Sequence, residues 1–320
     1  MSATLRWTVA AAEDGARLDQ FVARRAGCSR AEARRLIDGG AVRVDGRRAV
    51  KGRLLAVGAT VELERAPEAI EERRPVPQPE LPLEVAYSDD ALVAMVKPFG
   101  MPTHPLRGGE RGTLANALVA RFPECAAASD DPREGGVAHR LDADTSGVLL
   151  AARSPDDWRA LRRAFASGQV DKEYWALVDG APPDEGEVRA PLAHAGAKKM
   201  RALDEDSLEL RSRQARTRFE TLARGDGAAL VRAFTSTGRM HQVRVHLAHA
   251  GHPLYGDALY GGPPLPAGAS GGHVLHAARI TFPHPRDGRR LTIAAPLPPE
   301  RAALIASLVG SDWLNHLRNG

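Results

Sequence analysis

Five prolines, at positions 67, 75, 77, 79 and 82, fall within the eighteen residues from Arg65 to Pro82. Neither a helix nor a central strand can run through such a stretch, because each proline removes a backbone donor and fixes φ. With mixed charges and few large apolar side chains, the segment reads as extended linker backbone. The 320-residue chain is therefore expected to hold a small domain at 1–64 and a larger one at 83–320. Charge is divided the same way. Arg17 to Arg53 carries 11 basic against 4 acidic residues, a local excess that suits a phosphate-binding surface. The two cysteines, Cys28 and Cys125, offer neither a disulfide framework nor paired metal-ligand spacing, and no run approaches the roughly 20 apolar residues of a membrane span. A cytoplasmic protein with no membrane contact is expected.

In the first part, Leu5 to Val9 reads as a strand, and Leu18, Phe21 and Val22 lie at helical spacing. Ser29 and Glu32 form a capping box for a second helix. That helix buries Ala33, Leu36 and Ile37, carries Arg30, Arg34 and Arg35, and stops at Gly39-Gly40. Val42 to Val44, the turn Asp45-Gly46 and Val57 to Leu63 read as short strands.

In the second part, the stretch V-A-H-R-L-D-A-D-T-S-G-V-L-L (137–150) sets a polar segment between two apolar runs that read as buried strands. Such a loop can aim a carboxylate into a cleft, since both its ends are held; a plain turn rich in Asp, Thr, Ser and Gly has the same composition. Around it, Leu83–Val85, Leu92–Val96, Val170–Val178, Ala228–Phe234 and Val274–Phe282 read as strands. Thr113–Arg121, a helix capped by Ser154, His241–Ala250 and Pro298–Leu317 read as helices, and residues 181–214 as a hairpin or insertion. Asp142 has no Ser-His partner at a recognised spacing, so a catalytic role for it is as nucleophile or base, as carboxylates serve in glycosyl chemistry. His241, His246, His249 and His252 invite a zinc reading, but H-E-x-x-H is absent, as are the phosphate-binding glycine motifs. No metal and no cofactor is expected.

The order R-L-D-Q-F-V, then S-R-A-E-A-R-R-L-I-D-G-G-A-V-R-V-D-G, then V-G-A-T-V-E-L resembles the S4 RNA-binding domain, which implies that Arg30, Arg34 and Arg35 face RNA backbone. Further on, L-V-A-M-V-K-P-F-G-M-P-T-H-P (92–105), H-R-L-D-A-D-T-S-G (139–147), D-K-E-Y-W-A-L-V (171–178) and T-G-R-M-H-Q-V-R-V-H-L (237–247) together resemble the RluA-type pseudouridine synthases. G-H-P-L-Y-G-D and L-H-A-A-R-I-T-F-P-H-P extend the match to Pro285. The implied fold class is α+β: an S4-like domain followed by a synthase fold with a mixed, mainly antiparallel sheet flanked by helices and loops.

What the resemblance implies for the site is specific. Asp142 falls on the catalytic aspartate, Tyr174 on the active-site tyrosine and Arg244 on the arginine that pairs with the aspartate, while Arg140 matches the residue that fills the gap left by a flipped nucleotide. His139, Thr145, Lys97 and Arg239 join them as RNA-binding candidates. Ala143 and Met240 depart from the commoner Arg and Thr of the family. The implied activity is isomerisation of uridine to pseudouridine, in large-subunit ribosomal RNA first and tRNA second, by a monomer. A non-catalytic RNA-binding or ribosome-assembly factor is the alternative from another class.

Overall fold

A computed structural model of the chain describes residues 4–28, 30–50, 52–64, 73–196, 199–204 and 212–313. The fold has two compact units, residues 1–72 and 73–320. In the first, β1 (Leu5–Thr8), α1 (Leu18–Arg25), α2 (Arg30–Asp38), β2 (Val42–Val44), β3 (Arg47–Arg48) and β4 (Thr60–Leu63) follow in order, and the sheet runs β1-β4-β2-β3. Among the described residues all its pairings are antiparallel. The helical faces predicted from spacing meet the strands in one core, where Leu18, Phe21, Val22, Ala33 and Val61 are fully buried. Asp45 and Gly46 both have positive φ (53° and 72°), as the two-residue turn that matches strand twist requires. Ser29, the expected cap of α2, lies outside the described residues.

The second unit contains β5 (Glu84–Ser88), β6 (Leu92–Lys97), α3 (Leu114–Arg121), β7 (Ser146–Ala152), α4 (Pro155–Ala166), β8 (Asp171–Asp179), β9 (Glu185–Arg189), β10 (Leu192–His194), β11 (Met200–Ala202), β12 (Arg216–Arg224), β13 (Ala228–Thr235), α5 (Gln242–His249), β14 (Leu275–Pro283), β15 (Arg290–Ala294) and α6 (Pro299–Val309). Its large sheet has the order β5-β6-β7-β14-β8-β13-β12-β9, with β15 on β14. Among the described residues only the β7–β14 pairing is parallel, and the antiparallel remainder gives the mixed sheet expected. β14 changes partner along its length: its first residues pair with β7 and its later ones with β15. The sheet forks there, and α4 fills the fork over Val148, Leu150, Ile280 and Phe282. Ser154 caps α4 by accepting from the Asp157 amide at 3.2 Å, with Pro155 at its first position.

Several expectations need correction. Val137 makes one isolated bridge to Ala151 instead of a strand, because the chain turns into the polar loop at once. Residues 181–214 hold the β10–β11 hairpin and also β9, the edge partner of β12, whose E-G-E-V-R sequence has one buried side chain, Val188. The proline-rich stretch divides. Arg73 to Pro82 belongs to the second unit, where the Gln78 amide oxygen accepts from Gly112 and the Val76 carbonyl accepts from Asn116 Nδ2. Among the described residues no helix is long and apolar enough to cross a membrane.

Candidate active site

The loop between Ala138 and Ser146 is fixed from several sides. Thr103 Oγ1 donates to the Leu141 carbonyl (2.8 Å) and accepts from its amide (3.2 Å). Lys97, fully buried, donates from Nζ to the carbonyls of Pro98, Met101 and Ala143, each at 2.7 Å. Thr145 Oγ1 meets His273 Nε2 at 2.8 Å, and the Thr145 amide closes a turn onto the Asp142 carbonyl. Gly147, at φ 116°, passes so close to β14 that a Cβ there would lie 2.2 Å from the Ala277 carbonyl oxygen. No other residue fits.

Asp142 thereby faces Arg244 from the first turn of α5. Arg244 Nη1 donates to Asp142 Oδ2 at 2.7 Å, while Nε and Nη2 grip both oxygens of Asp257 at 2.7 and 2.8 Å. Asp257 is 2% exposed, so its charge is balanced by this fork. The Arg244 guanidinium also lies 5.1 Å from the Tyr260 ring centroid. His241 takes up left-handed backbone, φ 55°. Its Nδ1 meets the Tyr260 hydroxyl at 2.8 Å and its Nε2 lies 3.7 Å from Asp142 Oδ2.

Burial pushes the Asp142 carboxyl up, but His241 when protonated and Arg244 outweigh it and hold the carboxyl below its ordinary value. Burial also lowers the His241 imidazole, so at neutral pH the standing cation is Arg244. That guanidinium is raised above its ordinary value: burial lowers it, and the carboxylates of Asp257 and Asp142 prevail. Tyr174 is raised, first by burial and then by the Asp142 charge. Its phenol stays neutral.

Asp142, Tyr174, Arg244, Arg140, Thr145 and Arg239 line one cavity of about 60 Å³. Six of the eight candidates in this unit are thus brought together, drawn from the loop, β8, the turn before α5 and the start of α5. Two are not. His139 Nε2 accepts from the Leu150 amide at 3.1 Å and its ring packs on Phe165, so it braces the loop and does not reach the cavity. Lys97 is enclosed and spends its donors on backbone, which makes it a support for the loop and not an RNA contact. Sequence reasoning missed Asp257, His241, Tyr260 and Gln242. Gln242 is buried, accepts from Thr237 and Arg239, and donates to Thr235, tying down the turn before α5. Asp257 was readable in G-H-P-L-Y-G-D, but nothing in its spacing pointed to Arg244. Of the histidines read for zinc, His246 is held by the Thr217 hydroxyl and the Ala190 carbonyl.

In the first unit, Arg17, Arg30 and Arg34 all donate through Nε to Asp19, at 3.1, 2.9 and 2.8 Å. Asp19 is fully buried. Burial raises its carboxyl and the arginine hydrogen bonds, Arg34 first, lower it much further. Arg30 and Arg34 remain 44% and 40% exposed in their side chains, and Arg35 pairs with Glu32.

Comparison with known proteins agrees with this architecture. Residues 91–249 match the family of RNA pseudouridylate synthases, and residues 16–61 match the S4 domain. An uncharacterised RNA pseudouridine synthase of Mycobacterium bovis is 37% identical over 295 residues, covering 89% of this chain and 92% of the relative. The ribosomal large subunit pseudouridine synthase D of Xanthomonas campestris is 35% identical over 291 residues, 88% of this chain and 85% of the relative. Among solved structures, human RNA pseudouridylate synthase domain containing 4 superposes with a TM-score of 0.54 at 25% identity, over 69% of this chain and 92% of that one. The chain belongs to the RluA-type RNA pseudouridine synthases and carries an S4 domain at its N-terminal end.

Proposed function

We propose that this enzyme isomerises uridine in large-subunit ribosomal RNA, with Asp142 as the residue that opens the glycosidic bond. The observation that carries the reading is the 2.7 Å contact between Asp142 and Arg244 in a cavity that Tyr174 also lines. The ribosomal substrate rests on relatives such as the X. campestris enzyme. A stacked uridine exposes its C1′–N1 bond only after flipping, at a cost of a few kcal/mol that protein contacts must offset. Arg140, exposed on the catalytic loop, enters the vacated stack, where a guanidinium plane can replace base contacts. Arg140 and Arg239 line this cavity and flank the nucleotide as it enters.

Ionised Asp142 then attacks C1′, or takes a proton from C2′ to give a glycal. Either path needs its carboxylate unprotonated, which Arg244 ensures. The freed uracil, carrying the bonding pair on N1, turns on the flat ring of Tyr174 and bonds C1′ through C5, which releases the Asp142 carboxylate or returns the proton to C2′. The C5 proton then leaves to solvent and N1 takes one up, so no net proton is gained or lost. Because the Tyr174 phenol is raised, it is a poor acceptor for the C5 proton, and its contribution is the surface. The α2 arginines add backbone affinity. One site per chain makes a monomer sufficient, and ribosomal RNA places the enzyme in the cytoplasm.

The test compares ribosomal RNA from cells with the protein, without it, and with Asp142→Asn. Pseudouridine at one or more positions is expected to vanish in the last two, while purified Asp142→Asn still binds the RNA. An unchanged pseudouridine profile refutes the assignment and favours the binding-factor reading.

A further inference from the structure

The second unit has a roomier opening than the one at Asp142. A cleft of about 420 Å³ lies across β14, β8, β13 and β12. Alternation along β8 sends Lys172 and Tyr174 to one face of the sheet and Asp171 and Glu173 to the other, and the cleft occupies the second face, with the side chain of Lys172 at its edge. Strand register sets its floor: Arg279 pairs with Glu173, Glu173 with Phe234 and Phe234 with Arg218. These four side chains form one row on adjacent strands, about 14 Å from end to end at ordinary strand spacing.

The cations in this row are oriented and yet open. Glu220 holds Arg218 at 2.8 Å, Glu187 holds Arg216, and Glu173 lies 3.9 Å from Arg279. The three arginine side chains nonetheless stay 48%, 61% and 36% exposed. The Arg218 guanidinium lies 4.4 Å from the Phe234 ring centroid, which leaves its other face available to a planar ligand. Lining cations (Lys172, Arg216, Arg218 and Arg279) outnumber the lining acids, Asp171 and Glu173, and Asp171 is already paired with Arg290. A cleft with a stacking guanidinium and two flanking ones matches a base with its phosphates. Thr235 lines both this cleft and the Asp142 cavity, so the two open on either side of one strand end.

We infer that this cleft is a second RNA subsite, taking a single-stranded segment flanking the target uridine as it passes over the Thr235-Ser236 edge, with a base on Arg218 and phosphates on Arg216 and Arg279. The inference rests on the proposed RNA substrate and is read separately from catalysis. A surface sheet face laced with ordinary ion pairs is the competing explanation, and it predicts no RNA effect.

Binding of a fluorescein-labelled, mixed-sequence 20-mer RNA to the full chain is followed by anisotropy across a salt series. Arg216→Glu/Arg279→Glu is expected to weaken binding at least about tenfold and to lower the salt slope by about two, one for each phosphate left without its cation. Arg159→Glu/Arg163→Glu, an equal charge change on exposed α4, changes affinity less than twofold. Should the double variant fail to fold, Arg216→Gln and Arg279→Gln keep the length and drop the charge, each lowering the slope by about one. Affinity and slope equal to wild type in folded variants overturn the subsite. Absence of pseudouridine formation by the wild-type protein refutes the proposed function instead, and leaves the binding result standing.

Discussion

Arg244 answers to two carboxylates at once, and replacing it separates their needs. In Arg244→Gln three charge-assisted hydrogen bonds disappear. Asp257, nearly sealed from solvent, is left as an uncompensated charge. Breaking a buried pair in this way costs about 3–5 kcal/mol. For a unit of this size, at about 2–4 °C per kcal/mol, the melting temperature should fall by roughly 6–20 °C. Asp142 loses its standing cation, and burial then governs its carboxyl. The acid limb of the pH–rate profile should move to higher pH. Adding Asp257→Asn removes the stranded charge without restoring anything to Asp142. The double variant should therefore regain most of the lost melting temperature and none of the lost turnover. The assay is release of tritium from RNA labelled at uridine C5, measured from pH 5 upward in parallel with thermal unfolding. Recovery of turnover together with stability in the double variant refutes the reasoning, because Arg244 would then matter only as the partner of Asp257.

Three further outcomes follow from the same geometry. Lys97→Met leaves three carbonyls without their donor and should lower kcat at least about tenfold with little change in KM, since the loop carrying Asp142 loosens. Burial pushes the Lys97 ammonium down to about 7, so the unfolded chain binds more protons between about pH 7 and 10.5; thermal unfolding should show wild type gaining on the variant as pH rises through that window. Burial raises the Asp89 carboxyl, but the Tyr87 hydroxyl and the Ala91 and Leu92 amides take it down to about 2; the stability lost in Asp89→Asn should be present above about pH 4 and vanish as pH falls through about 2. Removing residues 1–72 should weaken RNA binding and flatten its salt dependence; equal slopes with and without them, by anisotropy, count against a phosphate-binding role for the S4 domain.

The core was readable wherever side-chain period and burial agree. Leu18, Phe21 and Val22 announced α1, and the alternation around Tyr174 announced β8, because one face of each is sealed. β9 and β15 escaped notice since both are edge strands: E-G-E-V-R buries one residue and R-L-T-I-A one, Ile293. Asp142 was singled out from its loop, whereas Tyr174 and Arg244 were found only through the ordered set of segments, since no local pattern links residues so far apart in the chain. Their supports were harder still. Lys97 reads as an RNA contact within the resembling segments, and only the fold shows its ammonium enclosed by backbone carbonyls. Asp257 looked like a turn residue, and its role depends on a guanidinium thirteen positions away that approaches from another element.

The three guanidiniums around Asp19 have a consequence for how the first unit discriminates among nucleic acids. One buried carboxylate holds Arg17, Arg30 and Arg34 in a fixed triangle with a net charge of about two, because Asp19 cancels one of three. Freely swinging arginines accept almost any polyanion, whereas a triangle set in place fits only phosphates whose own spacing matches it. Such a surface works as a gauge of backbone curvature. Under the proposed RNA-binding role, the triangle favours the regular ridge of a folded helix over a slack strand, and the choice of the individual uridine falls to the second unit.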